Sequence, residues 1–476
     1  MDDAQSERTI LDIIEKRLIP DEQAKKSRGE VFTPLNLVRE MLYGLRKNEV
    51  WGMKNGKFFD DDEDDRVGGI PLKVWRNPDT RWLDPANGIG NFPYVAFHML
   101  DYQLGHHGPA SMKDKTVRQK HIVEKMLYMI ELDKGNVNTS FKIFEHLVPG
   151  SKPNICCADT LKLKDADLQR NFGISKFHVV MGNPPFQADV TGKQVARGQP
   201  IFVWDTFLLK ALDILLTDGF LAFITPPGWR KPETPLWQIL SKDSQIHFLH
   251  ILGKPAVSKL FHVSQRIDMY LVEKRKAYTN TYIIDEKNEL THINLSEWPF
   301  LPNYSYNSFA KIFAPKEAGV RVIYSTAYHS SPSGKKLIEK PRMTANSEYK
   351  YPVVHNITQE GLGIRYVRDN TKGHFGVPKV LLNKNEQQYP VNDYDGKYGM
   401  TEMTFGIPIS SKEEGDDIVR AINTDRFKTI IKATKWGAFI TDYHMFFYFK
   451  PNFYREFLSE DGGGRRRTTR RKSRQK

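Results

Sequence analysis

Between residues 80 and 275 short apolar runs alternate with amphipathic stretches, and this alternation constrains the fold more than any other feature of the chain. The runs lie at 82–83, 127–130, 154–158, 177–181, 220–224, 247–252 and 269–272. Each is too short for a helix and too continuously apolar for a strand with one wet face, which suits strands covered on both sides. Helical periodicity fills the intervals at 94–104, 137–147 and 202–216. Strand–helix alternation at this spacing predicts an α/β fold with a doubly wound, mostly parallel sheet. The last two runs are joined by a loop without a clear amphipathic helix, so one strand there is expected to be antiparallel.

The 476 residues suggest two or three domains at roughly 150 residues each. Beyond residue 280 the texture changes: fourteen of the 20 tyrosines fall between Tyr282 and Tyr454, among Pro, Asn, Gly and short β-prone runs, with one helical stretch over 413–431. A second, irregular α+β domain is expected there. Residues 6–20 carry a helical apolar stripe. A mean hydropathy of −0.53 and the lack of an apolar run near 18 residues argue against a membrane span. The N-terminus lacks a secretory apolar core, and the two cysteines, Cys156 and Cys157, are adjacent and cannot build a disulfide framework. An intracellular protein is expected, in cytoplasm or nucleoid, or in the nucleus of a eukaryotic host. Of the net charge of +13, eight positive charges belong to the acid-free stretch 465–476, so the rest of the chain carries only +5. Such a block serves as a nucleic-acid arm, as an import signal, or as a merely solvated tail. The acidic run 60–65 reads as a surface loop.

Four segments carry the chemistry. In 82–92, WLDPANGIGNF, a strand ends at Asp84 and a turn holding Pro85, Ala86, Asn87, Gly88 and Gly90 leads into a helix; glycines there let backbone approach a ligand at the strand end. Glu131 ends the next strand and is placed to accept hydrogen bonds from ribose hydroxyls. Asp159 is read as ending the third strand and suits an exocyclic adenine amine. Each acid alone is more often a helix cap than a ligand, but three successive strand ends with an acid form a pattern. The fourth segment is 179–187, VVMGNPPFQ. After a buried strand, Asn183, Pro184, Pro185 and Phe186 present a side-chain amide, a rigid carbonyl and an aromatic face. That set suits a flat base with an exocyclic amine.

In this order the motifs resemble the S-adenosylmethionine-dependent N6-adenine DNA methyltransferases of the gamma class, type II restriction-modification-like enzymes in which a cofactor motif precedes the glycine-rich one. That first motif is the Phe32-Thr33-Pro34 of GEVFTPLNLVREML (29–42); DPANGIGNF, IELD, CCAD, GNPPF and DGFLAFITPPGW (218–229) follow. The resemblance covers roughly residues 5–275. It implies a Rossmann-like methyltransferase sheet and, as cofactor, S-adenosylmethionine, with no metal required. Thr33 and Pro34 would line its methionine end together with Asp84–Gly90. Glu131 would hold the ribose, Leu132 would pack on the adenine ring and Asp159 would bond its amine. Asn183–Phe186 would hold the target adenine. The sequence departs from the family at Asn87, where a small residue or Cys is usual, and at Lys134, where a proline is usual.

The implied organisation is a catalytic domain over 1–275, a DNA target-recognition domain over 276–455 and a basic tail over 456–476. The implied partner is double-stranded DNA, with room for a separate cognate restriction endonuclease, and the chain is expected to act as a monomer. Three rivals share features with this reading: glutamine-amide methylation of proteins, adenine methylation of RNA, and a catalytically idle DNA-binding module. The roughly 200 residues after the catalytic domain disfavour the first, and an intact Asn183 and Glu131 disfavour the last.

Overall fold

The computed structural model describes residues 33–46, 66–187, 203–329, 340–437 and 441–458. The helix expected over 6–20, Phe32, the acidic run 60–65 and the basic tail from residue 459 onward lie outside these residues. The chain divides into two compact units, Met1–Arg230 with Thr234–Trp298, and Lys231–Glu233 with Pro299–Lys476.

The first unit is built on a nine-stranded sheet. In chain order its strands are β1 (Trp82–Asp84), β2 (Leu127–Glu131), β3 (Asn154–Cys157), β4 (Phe177–Gly182), β5 (Leu215–Thr225), β6 (Gln245–Leu252), β7 (Ile267–Glu273), β8 (Thr281–Ile284) and β9 (Leu290–Ile293). Across the sheet they run β3-β2-β1-β4-β5-β7-β6-β8-β9. β1 to β5 are mutually parallel, and β7 is antiparallel to both its neighbours. This is the doubly wound, mostly parallel α/β sheet that the alternation led us to expect, including its antiparallel strand. The core strands are buried on both faces; β7, for example, has all seven residues inside. Such strands must be covered by helices on both sides.

The covering helices are α1 (Leu35–Tyr43), α2 (Asn91–His107), α3 (Lys134–Leu147), α4 (Trp204–Ile214) and α5 (Lys254–Phe261), with shorter ones between. Pro34 precedes α1 at φ −56°, which suits the first turn, and Leu37, Val38, Met41 and Leu42 turn inward. Asp133 caps α3 by accepting the Asn136 N–H at 3.0 Å. Two features differ from the sequence reading. The connection between β6 and β7 contains α5. The sheet also continues past residue 275, because β8 adds parallel to β6 and β9 adds antiparallel to β8.

The second unit is α+β, as expected. One sheet has the order β10 (Ile323–Tyr324), β16 (Thr404–Pro408), β13 (Lys379–Asn383), β14 (Val391–Asp393); the other joins β12 (Gly361–Val367), β11 (Tyr351–Thr358) and β15 (Gly399–Met400). The single helical stretch expected over 413–431 is two helices, α6 (Lys412–Asn423) and α7 (Asp425–Ala433). Thr424 separates them and its hydroxyl accepts the Phe427 N–H at 3.2 Å. Phe427, Phe446, Phe453 and Phe457 pack as one aromatic group. Lys379 is fully buried, its ammonium held by Asp393 at 2.8 Å and by three backbone carbonyls.

Candidate active site

The chain order reverses between β1 and β4. From β1 it winds outward through β2 and β3, then returns to pair β4 against the other side of β1. Open α/β sheets bind ligands in the crevice that such a reversal leaves at the carboxyl ends of the strands. Asp84 ends β1 there and is 1% exposed, with its Oδ1 accepting the Ala86 N–H at 3.0 Å. Burial pushes its carboxyl well above the usual carboxylate range; the Ala86 bond opposes this and the nearby Glu131 charge adds to it. The opposing strand passes so close that a Cβ on Gly182 would lie 2.8 Å from Asp84 Oδ1. Glycine is therefore required at the residue before Asn183.

The turn after β1 is fastened from several sides. Gly88 and Gly90 have φ of +56° and +100°, a region that L side chains rarely enter. The Asn87 amide donates to Ser140 Oγ of α3 and to the Gly88 carbonyl, each at 3.1 Å. Glu131, at the end of β2, accepts the Gly88 N–H at 2.7 Å on one oxygen and the Asp133 N–H at 2.8 Å on the other. The Asn91 amide, opening α2, donates to the Thr33 carbonyl at 2.8 Å. Thr33 therefore stands beside the turn although 51 residues separate it from Asp84. Three polar atoms gathered here, Thr33 Oγ1, Asn87 Oδ1 and Asn91 Oδ1, are buried without a hydrogen-bond partner among the described residues. Buried polar atoms of this kind usually have a partner, and a bound ligand is one way to supply it.

The two neighbouring strand ends complete one side. Leu132 is 69% exposed, an apolar side chain held in the open next to Glu131. Asp159 lies two residues beyond β3. One of its oxygens accepts the Leu161 N–H at 3.1 Å and the other meets Lys162 at 2.9 Å. Thr160, buried, donates its hydroxyl to the Pro85 carbonyl and so ties this segment to the turn after β1.

On the other side, Asn183, Pro184, Pro185 and Phe186 leave the end of β4. Asn183, Pro184 and Phe186 form one wall of a cleft that opens to solvent. Its other walls are Ile224 of β5, Val257 and Phe261 of α5, Val263 and Gln265 from the loop that follows, and Ile267 of β7. Apart from Ile224, which lies within DGFLAFITPPGW, these residues fall outside the motifs. Val257 and Phe261 stand one helical turn apart, which is a core signal as much as a site signal.

Against this geometry the comparisons with known proteins are specific. Residues 110–257 match the Eco57I restriction-modification methylase family. A curated relative, an uncharacterised adenine-specific methylase of Mycoplasma pneumoniae, is 26% identical over 42% of this chain. The chain spans about half the length of that relative, 55%. Among solved structures, the ATP-dependent Type ISP restriction-modification enzyme LlaBIII bound to DNA is similar, with 12% identity, a TM-score of 0.48, and coverage of 91% of this chain and 40% of that one. A DrdV–DNA complex is similar at 13% identity and a TM-score of 0.46, covering 96% of this chain and 59% of the other.

The segment that matches the Eco57I methylase family contains Glu131, Leu132, Asp159 and Asn183–Phe186. Thr33, Pro34 and Asp84–Gly90 precede it, and the cavity residues from Phe261 to Ile267 follow it. The structure brings all three groups to the same end of one sheet.

Proposed function

We propose that the protein is a site-specific DNA methyltransferase that transfers the methyl group of S-adenosylmethionine to the N6 amine of an adenine turned out of duplex DNA. The observation that carries this reading is the position of Asn183-Pro184-Pro185-Phe186, beside a cavity and across the strand-order reversal from the Asp84–Gly90 turn. The residues present fit the cofactor. Glu131 would take the ribose hydroxyls, exposed Leu132 would cover one face of the adenine, and Asp159 would accept its amine. The unpartnered Thr33, Asn87 and Asn91 oxygens, with Pro34 and the turn from Asp84 through Pro85 and Ala86 to Gly90, would surround the methionine end.

When bound, S-adenosylmethionine supplies an electrophilic methyl carbon on a good leaving group. The work left to this chain is to make a poor nucleophile attack. The N6 lone pair is delocalised into the ring. The Asn183 amide oxygen and the Pro184 carbonyl each accept one N6–H. As the nitrogen turns pyramidal to attack, these bonds strengthen, so they favour the transition state over the flat ground state. One of the two N6 protons leaves after transfer, and both acceptors are placed to receive it on its way to solvent. Phe186 stacks on the base and offsets part of the few kcal/mol lost on unstacking it from the duplex.

Double-stranded DNA is the proposed substrate, read by the second unit. We further propose action as a monomer alongside a separate cognate endonuclease. The deciding experiment incubates the protein with DNA, RNA and labelled cofactor, separates the DNA, RNA and protein fractions, and digests the nucleic acids to nucleosides. Label in N6-methyl-2′-deoxyadenosine from the DNA is expected. Label only in N4-methylcytosine, only in RNA, or only in protein refutes the assignment.

A further inference from the structure

We propose that Gln265 reads the ring of the target adenine, donating a side-chain N–H to a ring nitrogen beside the N6 amine. The inference rests on the function proposed above and deepens it. Gln265 lines the cavity that Asn183, Pro184 and Phe186 wall on the other side. The remaining lining is apolar, so Asn183 and Gln265 are the only carboxamides among the described residues that line it.

Three features make Gln265 a recognition group and not a passive one. Its amide is half-buried yet makes no hydrogen bond with the described residues, although side chains around it do. Its backbone is held in place on the C-terminal side. Arg266 forms a two-bond pair with Glu286 at 2.9 and 3.0 Å. Asp268 forms another with Arg230, where both side chains are fully buried. These pairs anchor the chain on the C-terminal side of Gln265 and leave its side chain to be ordered when a base enters. The chemistry also matches. An adenine whose N6 hydrogens go to Asn183 and Pro184 presents N1 and N7 on either side of that amine, both acceptors, and a primary amide supplies the donor they need. Asn183 would then set the reacting nitrogen, and Gln265 would set the rotation of the ring about it.

The test uses the full-length protein, plasmid DNA and three forms: wild type, Gln265→Leu and Gln265→Glu. Calorimetric binding of S-adenosylmethionine establishes that each is folded and holds its cofactor. With wild type producing N6-methyl-2′-deoxyadenosine, Gln265→Leu is expected to lower kcat/KM for DNA about tenfold, the loss of one hydrogen bond to the base. Gln265→Glu turns the donor into a charged acceptor facing an acceptor. It should fall further than Gln265→Leu at pH 8 and recover as the pH drops toward carboxyl protonation. Once the methylated site has been mapped by sequencing, 1-deaza- and 7-deaza-2′-deoxyadenosine are placed at the target. One of them should slow wild type without further slowing Gln265→Leu. Wild-type rates in Gln265→Leu, a pH-independent loss in Gln265→Glu, or identical responses of wild type and Gln265→Leu to both analogues overturns the inference. A wild-type protein that makes no N6-methyl-2′-deoxyadenosine overturns the parent reading, whatever the variants do.

Discussion

Glu131 is the residue on which the proposed cofactor site turns, because it faces two ways. Its carboxylate receives the Gly88 and Asp133 N–H groups at 2.7 and 2.8 Å, one on each oxygen. A carboxylate offers about four lone-pair sites in all, so the proposed role adds ribose hydroxyls to these two donors. Glu131→Ala removes the ribose contacts and frees the glycine turn together. Hydrogen bonds to a charged group contribute about 1.5–3 kcal/mol each. Much of the loss at the turn is recovered by water once the side chain is gone, so one such bond is the net expectation. At 1.4 kcal/mol per decade that weakens cofactor affinity roughly tenfold to a hundredfold. Glu131→Gln sharpens the test. An amide has only one oxygen, so it can accept one of the two N–H groups and must turn its own donors toward the other. Its loss should therefore approach that of Glu131→Ala despite nearly identical shape. Calorimetric titration with S-adenosylmethionine measures both. Turnover at saturating cofactor should stay within a few-fold of wild type, because Glu131 does not touch the target base in this reading. A dissociation constant within twofold of wild type in both variants, or a fall in turnover with affinity intact, would refute the reasoning.

Asn183→Ala should show the opposite split: turnover lower by about 10²–10³, by analogy with removing one oxyanion-hole donor, and cofactor affinity within a few-fold of wild type. Asp84 should make stability pH-dependent. Burial holds its folded pKa well above the ordinary carboxylate range, so the folded state keeps a proton that the unfolded chain releases, and stability falls as pH rises from about 4 toward the folded pKa. In Asp84→Asn that part of the slope should vanish, so its melting temperature gains on wild type as pH rises; parallel curves for the two proteins would contradict this. Arg230→Met should destabilise the protein by about 3–5 kcal/mol in chemical denaturation by stranding the fully buried Asp268 carboxylate, and adding Asp268→Leu should restore most of that loss. Equal stability of the single and double variants would show that the stranded charge is not the cause.

Much of the fold is legible in the chain because buried parallel strands write continuous apolar runs. All seven runs expected between 80 and 275 fall on strands β1 to β7. What escaped has physical reasons. α5 is eight residues long with a proline in its first turn, and it turns only Val257 and Phe261 fully inward, too little to show a period. β8 and β9 are four residues each at the sheet edge, and β9 leaves alternate residues exposed. The break between α6 and α7 is a single capping threonine inside an otherwise continuous amphipathic pattern. The strand-end residues of the site were legible because strand ends can be located from the runs. The opposite wall of the cavity was not. Ile224, Phe261 and Gln265 come from three elements, and no local pattern announces that β5, β7 and α5 meet beside Asn183.

The two departures from the gamma-class pattern show how local chemistry replaces a missing residue. A proline after the IELD acid would preset the first turn of α3; Lys134 stands there instead, exposed, and the turn is set by the Asp133 cap on Asn136. A small residue in the glycine turn would leave room beneath it. Asn87 fills that room and uses it, since its amide reaches Ser140, which is fully buried on α3. The turn after β1 is thereby bound to the helix that follows β2, while Glu131 binds the same turn to the end of β2 itself. A cofactor lying across these strand ends would meet a surface already assembled. The Asn87 Oδ1, like Thr33 Oγ1 and Asn91 Oδ1, is buried without a hydrogen-bond partner among the described residues, and the proposed cofactor would supply that partner.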